Sequence, residues 1–257
     1  MPCQKIETVC RIMDEIAPPH LQEDYDNVGL LAGSSKTKVT GIYVALDVTK
    51  RVIERAQALD CQLIVTHHPI LFRGRKNLRE DDAEGALLCR LIRSRLALFA
   101  AHTNFDNAPY GTGDCLARAL GLSEIADGGD GMRIGLLPQA MDAEELVEYV
   151  EARLGGRSRL HGGKAQMRKV ALCPGAGGFM TSAAAEAGAD VFITGEAKHH
   201  ELLEAEELGL PIMDAGHYET EQFAINAFAD GLQNALNALE WNIRIYRDPC
   251  KEETHAD

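Results

Sequence analysis

The sequence has no long apolar run, and its basic residues are few relative to its acidic ones. No window reaches the roughly 18 consecutive apolar residues that a membrane helix needs. The amino terminus has no signal-peptide core, so we expect a cytoplasmic protein with no membrane partner. The 39 acidic residues exceed the 26 basic ones, which gives a net charge of −13 at pH 7. Because phosphate backbones bind clustered lysine and arginine, nucleic acid is an unexpected partner.

The cysteines are odd in number, scattered, and never arranged as a C-x-x-C pair. This pattern indicates neither a disulfide framework nor a thiolate metal site, and we expect most of them to be small buried side chains. The seven positions are Cys3, Cys10, Cys61, Cys89, Cys115, Cys173 and Cys250. With 46% hydrophobic and 25% charged residues, the 257-residue chain has the composition of an ordinary globular protein.

Strand-like and helical segments alternate along the chain, which predicts an α/β fold with mainly parallel strands. The predicted helices cover 6–17, 50–59, 83–95, 114–120, 143–153, 179–188, a segment that ends at Leu208, and 217–239. Two passages resemble each other: ALDVT…CQLIVTHH leads to a strand that ends at Thr66, and ALCPG…ADVFITGE leads to one that ends at Thr194. Duplication explains this resemblance slightly better than coincidence between two common βαβ units.

We therefore expect residues 1–257 to form a single unit of two similar α/β lobes, related by pseudo-duplication. Lobe one would cover about 1–125 together with the end of the chain, and lobe two about 126–250. Because parallel strands collect their carboxyl ends at one edge, ligand-binding groups from both lobes would meet in the cleft between them.

The stretch IVTHHPILF, Ile64–Phe72, leads an apolar strand directly into two histidines and a proline. Ligand-binding groups of open α/β sheets lie at the carboxyl ends of the strands. Pro69 keeps His68 out of the helical region, so His67 and His68 should lie on extended backbone. Their side chains would then diverge and suit two neighbouring targets better than one.

Two further histidines are each followed by a carboxylate four residues later: His102 by Asp106 and His217 by Glu221. At a helix start, as predicted for His217, this spacing places both side chains on one face. Imidazoles and carboxylates from three strand ends, without a thiolate, are typical of a two-metal site. Zinc, manganese and iron all accept these ligands. His102 would support the ligands or transfer a proton, or it is an ordinary buried, hydrogen-bonded histidine.

Other polar residues in these segments have simpler interpretations. Glu219 should point away from Glu221 on the helix and be solvated. Lys198, His199 and His200 begin a helix, where one of them could contact a substrate and the others would be surface residues. The glycines of CPGAGG, between Cys173 and Gly178, could hold a phosphate with their backbone N–H groups, but they match no phosphate-loop motif.

The segments DNVGLLAG, VALDVT, THHPILF, TNFD, VFITGE and GHYETE, in this order, resemble the GTP cyclohydrolase 1 type 2 homologue family, also called NIF-three-like proteins. The resemblance extends from Asp26 to about Tyr246. It is to the short form of the family, because the inserted middle domain of longer relatives has no room between Leu122 and Lys169.

This resemblance implies a dinuclear metal centre with two divalent ions per chain. His68 and Asp106 would bind one ion, His67 and His217 the other, and Glu221 would bridge both. It also implies a ring-shaped homo-oligomer, commonly a hexamer.

Simple electrostatics suggests what such a centre would do. Two divalent ions with two carboxylate ligands retain positive charge, which attracts hydroxide and anionic substrates. We therefore expect a metal-dependent hydrolase that acts through metal-bound hydroxide on an anionic small molecule, nucleotide-like or a cyclic amide. The alternative is a non-catalytic metal-binding or regulatory scaffold that acts through protein partners.

Overall fold

The structure is a computed structural model, which describes residues 4–249. Cys3 and Cys250 lie outside the described residues. The described strands are β1 (Gln4–Lys5), β2 (Gly29–Ala32), β3 (Lys38–Val39), β4 (Gly41–Ala45), β5 (Leu63–Thr66), β6 (Ala97–Ala100), β7 (Ser123–Gly129), β8 (Met132–Met141), β9 (Arg159–His161), β10 (Met167–Cys173), β11 (Val191–Thr194), β12 (Ile212–Asp214) and β13 (Arg244–Arg247). The described helices are α1 (Ile6–Ile16), α2 (Lys50–Ala58), α3 (Ala83–Arg93), α4 (Thr103–Asp106), α5 (Thr112–Ala119), α6 (Ala143–Leu154), α7 (Thr181–Glu186), α8 (His199–Glu207) and α9 (His217–Ala238).

Each helix predicted from the sequence is present, with bounds that differ by a few residues. The short helix α4 and strands β1, β2, β7, β9 and β13 were not predicted. None of the helices within residues 4–249 combines the length and the apolar character that a membrane crossing requires.

The chain divides into two compact units, Met1–Ala108 with Ala224–Asp257, and Pro109–Phe223. In the described part of the first unit, a five-stranded sheet has the order β13-β4-β5-β6-β2. The first four of these strands are parallel, and β2 is antiparallel to β6. Every residue of β4, β5 and β6 is buried, as expected for apolar parallel strands that are covered on both faces.

Two capped amphipathic helices pack on this sheet. The Thr49 side chain accepts a hydrogen bond from the Val52 N–H at the start of α2, and Asp82 accepts one from the Gly85 N–H at the start of α3. The apolar faces of these helices join residues of β4, β5 and β6 in one hydrophobic core.

The second unit contains a mixed sheet, six-stranded in its described residues, in the order β7-β8-β10-β11-β12-β9. Its central strands β10, β11 and β12 are parallel, and the outer strands are antiparallel. β7 and β8 form a hairpin through Asp130 and Gly131, which have φ values of 46° and 75°. Two consecutive residues with positive φ are typical of a type I′ turn, for which Asp-Gly is a favoured sequence.

The repeated passages of the sequence form equivalent βαβ elements. β4, α2 and β5 give one parallel pair, and β10, α7 and β11 give the other. These pairs end at Thr66 and Thr194, as the sequence predicted. The fold is therefore α/β with two similar lobes, each with parallel strands in its sheet.

The cysteines within residues 4–249 are thiols that form no disulfide with one another. Cys61, Cys115 and Cys173 are buried, and Cys10 and Cys89 are half-buried. Burial raises the pKa of the Cys61 and Cys115 thiols to about 11, so both are neutral at pH 7.

Candidate metal centre

The backbone after β5 stays extended through the two adjacent histidines. The His67 N–H donates to the Ala45 carbonyl at 3.3 Å, and the His68 N–H donates to the Leu46 carbonyl at 3.0 Å. Both bonds continue the pairing with β4, so successive side chains leave the strand in different directions. The ring centroids of His67 and His68 are 5.0 Å apart.

His102, at the start of α4, brings a third imidazole to this point. Its ring centroid lies 5.1 Å from that of His67 and 5.5 Å from that of His68. Each ring offers a nitrogen within 4.8 Å of the other two, so this group could hold a metal ion. The structure thus places the His102 ring next to the candidate ligands His67 and His68. From the sequence, His102 was expected to support the ligands, to transfer a proton, or to be an ordinary buried histidine.

The three rings are held in the same way. Their Nδ1 atoms lie 2.9 Å from an oxygen: the Ala101 carbonyl for His67, an Asp47 carboxylate oxygen for His68 and an Asp26 carboxylate oxygen for His102. A carbonyl or carboxylate oxygen accepts hydrogen bonds, so each Nδ1 carries the proton. The Nε2 lone pair is then the atom that each neutral ring can offer to a metal.

Asp106, at the end of α4, supplies a carboxylate to the same group. Its Oδ1 atom is buried, accepts no hydrogen bond within residues 4–249, and lies 3.5 Å from Nε2 of His67. An unprotonated imidazole nitrogen and a buried carboxylate oxygen this close to each other are stabilised by a cation beside them. The nitrogen and oxygen donor set fits a divalent ion.

The second unit presents one histidine and one glutamate on the first turns of α9. His217 and Glu221 are four residues apart, with Nε2 and Oε2 separated by 3.1 Å. Nδ1 of His217 lies 2.8 Å from a carboxylate oxygen of Glu196, so Nδ1 carries the proton. Nε2 of the neutral ring and the Glu221 oxygen are then two lone-pair atoms that face each other, an arrangement that a cation or a second ring proton would stabilise.

The loop after β10 packs against these two side chains. A Cβ atom at Gly175 would lie 2.1 Å from Oε1 of Glu221 and 3.3 Å from Nε2 of His217. The Gly175 N–H donates to the Thr220 hydroxyl at 3.1 Å, so this N–H already has an acceptor within the protein. The glycine therefore provides space for the Glu221 carboxylate, a different role from the phosphate loop considered from the sequence.

Replacing Gly175 with alanine should displace Glu221 and lower metal occupancy, because a new methyl group would overlap its carboxylate. Gly209→Ala is a matched control: the φ values are 62° and 61°, and nothing lies within 4 Å of the position of a Cβ at Gly209. Both variants should lose similar stability from the strained backbone, but only Gly175→Ala should lose metal. Elemental analysis and thermal unfolding of both variants measure the two effects. Equal metal content would contradict the assignment.

Asp26 is the most completely enclosed acid of the first unit's group. Its side chain is 0% exposed and contacts His102, the Thr103 N–H and hydroxyl, and the Asn27 N–H. Burial on its own would raise the pKa of Asp26, but the hydrogen bonds from His102 and Thr103 outweigh it and lower the pKa to about 2. Asp26 is therefore ionised at neutral pH and fixes the orientation of the His102 ring.

Asp26→Asn should destabilise the fold by about 2 kcal/mol at pH 7. A folded-state pKa below the unfolded value stabilises the protein above pH 4, and this contribution disappears as the pH falls through about 2. The difference in unfolding free energy between the wild type and Asp26→Asn should thus shrink from pH 4 towards pH 2. Denaturant titrations at several pH values measure it, and a difference that is independent of pH would refute this role.

One expectation from the sequence needs correction. Glu219 is not solvated: it is half-buried, and a Cβ at Gly156 would lie 2.5 Å from its Cγ. The exposed residues Lys198 and His200 flank the start of α8 and lie near the Glu201 carboxylate. His199 instead lines a surface cavity of about 670 Å³ next to β9.

Sequence reasoning missed the acids that orient the rings, Asp26, Asp47 and Glu196. Each lies within one of the segments quoted for the family resemblance, which was the available signal. Each is at least 21 residues from the histidine that it contacts, so no local spacing connects the two.

This fold and these side chains define an α/β protein whose histidine and carboxylate groups could hold a metal ion. The model of the Duf34/NIF3 (NGG1p interacting factor 3) family matches residues 4–252, and the chain belongs to this family.

Similar proteins agree with this assignment. A Clostridium perfringens (strain 13 / Type A) protein named GTP cyclohydrolase 1 type 2 homolog is 33% identical over 228 residues, which cover 84% of this chain and 87% of that protein. A Nostoc protein of the same name is 35% identical over 210 residues, 78% of this chain and 79% of that protein. The crystal structure of a Bacillus cereus protein related to NIF3 has a TM-score of 0.92 at 23% identity, and covers 100% of this chain and 99% of that one. The family resemblance predicted from the sequence is confirmed.

Proposed function

We propose that this protein binds two divalent metal ions and uses them to hydrolyse an anionic small molecule. The observation that carries the proposal is the common orientation of His67, His68, His102 and His217, each with Nδ1 held by an oxygen acceptor. Histidines that bind metals are fixed in this manner, so that Nε2 faces the ion. A surface histidine without a ligand has no need of a dedicated acceptor.

The ligands would be divided as the family resemblance implies. His68 and Asp106 would hold one ion, His67 and His217 the other, and Glu221 would bridge the two. Zinc, manganese and iron remain the candidate metals, since nitrogen and carboxylate ligands suit all three. When bound, two such ions would polarise the substrate and lower the pKa of a water molecule, so that water attacks as hydroxide at neutral pH.

The side chains around these ligands would perform the remaining steps. Asp47, Asp26 and Glu196 keep the histidine rings in the orientation in which Nε2 donates to a metal. His102, held through Nδ1 by Asp26, is not one of these ligands, and its Nε2 atom would accept a proton during the reaction. An anionic substrate is supported by the charge contrast between a dinuclear cationic centre and a chain of net charge −13.

The decisive experiment is elemental analysis of protein purified without chelator, followed by a substrate screen. Phosphoesters, nucleotides and cyclic amides would be tested with zinc, manganese and iron restored in turn. We expect about two ions per chain and turnover with at least one substrate class. Metal without turnover above that of the free ions would replace catalysis with a metal-binding scaffold. Absence of metal would refute both.

We also expect a hexamer, by family resemblance. Light scattering at micromolar concentration tests the assembly, and a stable monomer would contradict it.

A further inference from the structure

Two exposed aromatic side chains adjoin the histidine group of the first unit. Tyr25 is 63% exposed and Phe72 is 41% exposed. Their ring centroids are 6.2 Å apart in an edge-to-face contact, and the Phe72 ring contacts the His102 ring in the same way at 5.9 Å. The aromatic pair therefore continues the array of His67, His68 and His102 towards solvent.

The segment 25–27 ties this array together. Tyr25 contacts the Phe72 ring, Asp26 holds His102, and the Asn27 side chain donates a 2.6 Å hydrogen bond to the Leu71 carbonyl. Three consecutive residues thus fix both the exposed rings and the candidate ligand. Two rings that merely happened to be exposed would not need this anchoring, since burial is the more stable place for an aromatic side chain.

We propose that Tyr25 and Phe72 form a platform that binds a planar aromatic or heteroaromatic ring of the substrate. The inference rests on the proposed function, because the ring would be carried by a ligand whose anionic group reaches the metal ions. Offset or edge-to-face packing on two fixed rings favours a flat, polarisable group over an aliphatic one of similar size. The platform would therefore determine the substrate class, while the metal ligands perform the chemistry.

Two hydroxamate probes distinguish binding by the aromatic platform from binding by the metal centre. Benzohydroxamate and acetohydroxamate share a metal-chelating anionic head, and only the first carries a planar ring. Calorimetric titration of zinc-loaded and zinc-free protein gives the affinity of each probe. We expect both to require zinc, and benzohydroxamate to bind about tenfold more tightly.

The variants test which residues provide this preference. Phe72→Leu and Tyr25→Leu retain apolar volume without a planar ring and should reduce the tenfold preference towards unity, while acetohydroxamate affinity stays constant. Phe72→Tyr should restore it. Ile92→Ala is the control, since Ile92 is 56% exposed on α3 of the same unit and belongs to no ring contact in the described residues.

Each outcome separates the platform from the proposed function. If both probes bind zinc-loaded protein equally, or if the preference survives in Phe72→Leu and Tyr25→Leu, the platform is refuted and the metal centre stands. If acetohydroxamate does not bind, the open metal centre is refuted, whereas benzohydroxamate binding that depends on Phe72 still supports the platform. Failure of both probes refutes both proposals. Unchanged affinities with an altered oligomeric state would assign the two rings to a subunit interface and overturn the platform.

Discussion

Glu221→Ala should reduce the metal content of reconstituted protein from about two ions per chain to nearly none. Glu221 is 4% exposed and would be the one carboxylate that bridges both ions. Its removal takes a ligand from each ion and leaves adjacent positive charges with less compensation, so both sites should weaken together. Asp106→Ala, by contrast, should empty mainly one site.

Two further variants make this result specific. Glu221→Gln keeps the buried volume and removes the charge, so it separates metal loss from a packing defect. Glu206→Gln removes an exposed carboxylate on α8 and should retain all the metal. Elemental analysis after zinc loading and gel filtration gives the stoichiometry. Metal content in Glu221→Ala equal to that of the wild type would disprove the dinuclear assignment.

Zinc should also stabilise the wild type against thermal unfolding, and this effect should disappear in the Glu221 variants. A ligand at about 100 times its dissociation constant stabilises the native state by about 2.7 kcal/mol. Because this readout needs no substrate, it tests the metal centre even if the reaction stays unidentified.

The site residues that could be predicted are those whose placement depends on the local sequence. His67 and His68 directly follow an apolar strand. Glu221 follows a histidine by four residues at a helix start. Strand ends and helix faces follow from periodicities of two and 3.6 residues, so these side chains could be named in advance.

The remaining part depends on contacts between distant segments. Asp26 reaches His102 from 76 residues away, and no periodicity links them. The role of Gly175, which leaves space for the Glu221 carboxylate, depends on a contact between two distant segments and could not be predicted from the sequence. The hairpin between β7 and β8 was different, because Asp130-Gly131 is a recognised turn signal in the sequence itself. Strand β7 could therefore have been predicted, as its partner β8 and the parallel strands β4, β5, β6, β10, β11 and β12 were.

The orientation of the rings has a consequence for substitutions around the site. Asp47 and Glu196 each hold one histidine, so Asp47→Asn or Glu196→Gln would retain a hydrogen-bonding oxygen but remove its charge. Such partners typically contribute 10–100-fold to metal affinity or activity. Loss of a ligand itself should therefore cost more than loss of the residue that orients it.

His217→Ala should lower the hydrolytic rate by at least about 100-fold, once a substrate is found. The substitution removes a proposed metal ligand at the first residue of α9. His199→Ala provides the matched control, because His199 is exposed and is the first residue of α8. Glu219→Ala is less suitable, since that side chain packs against Gly156. In the wild type, the rate should rise with pH through about 7, where metal ions ionise water, and chelation should abolish it. Equal rates for His217→Ala and His199→Ala, or a rate indifferent to chelator, would leave metal binding without catalysis as the function of the centre.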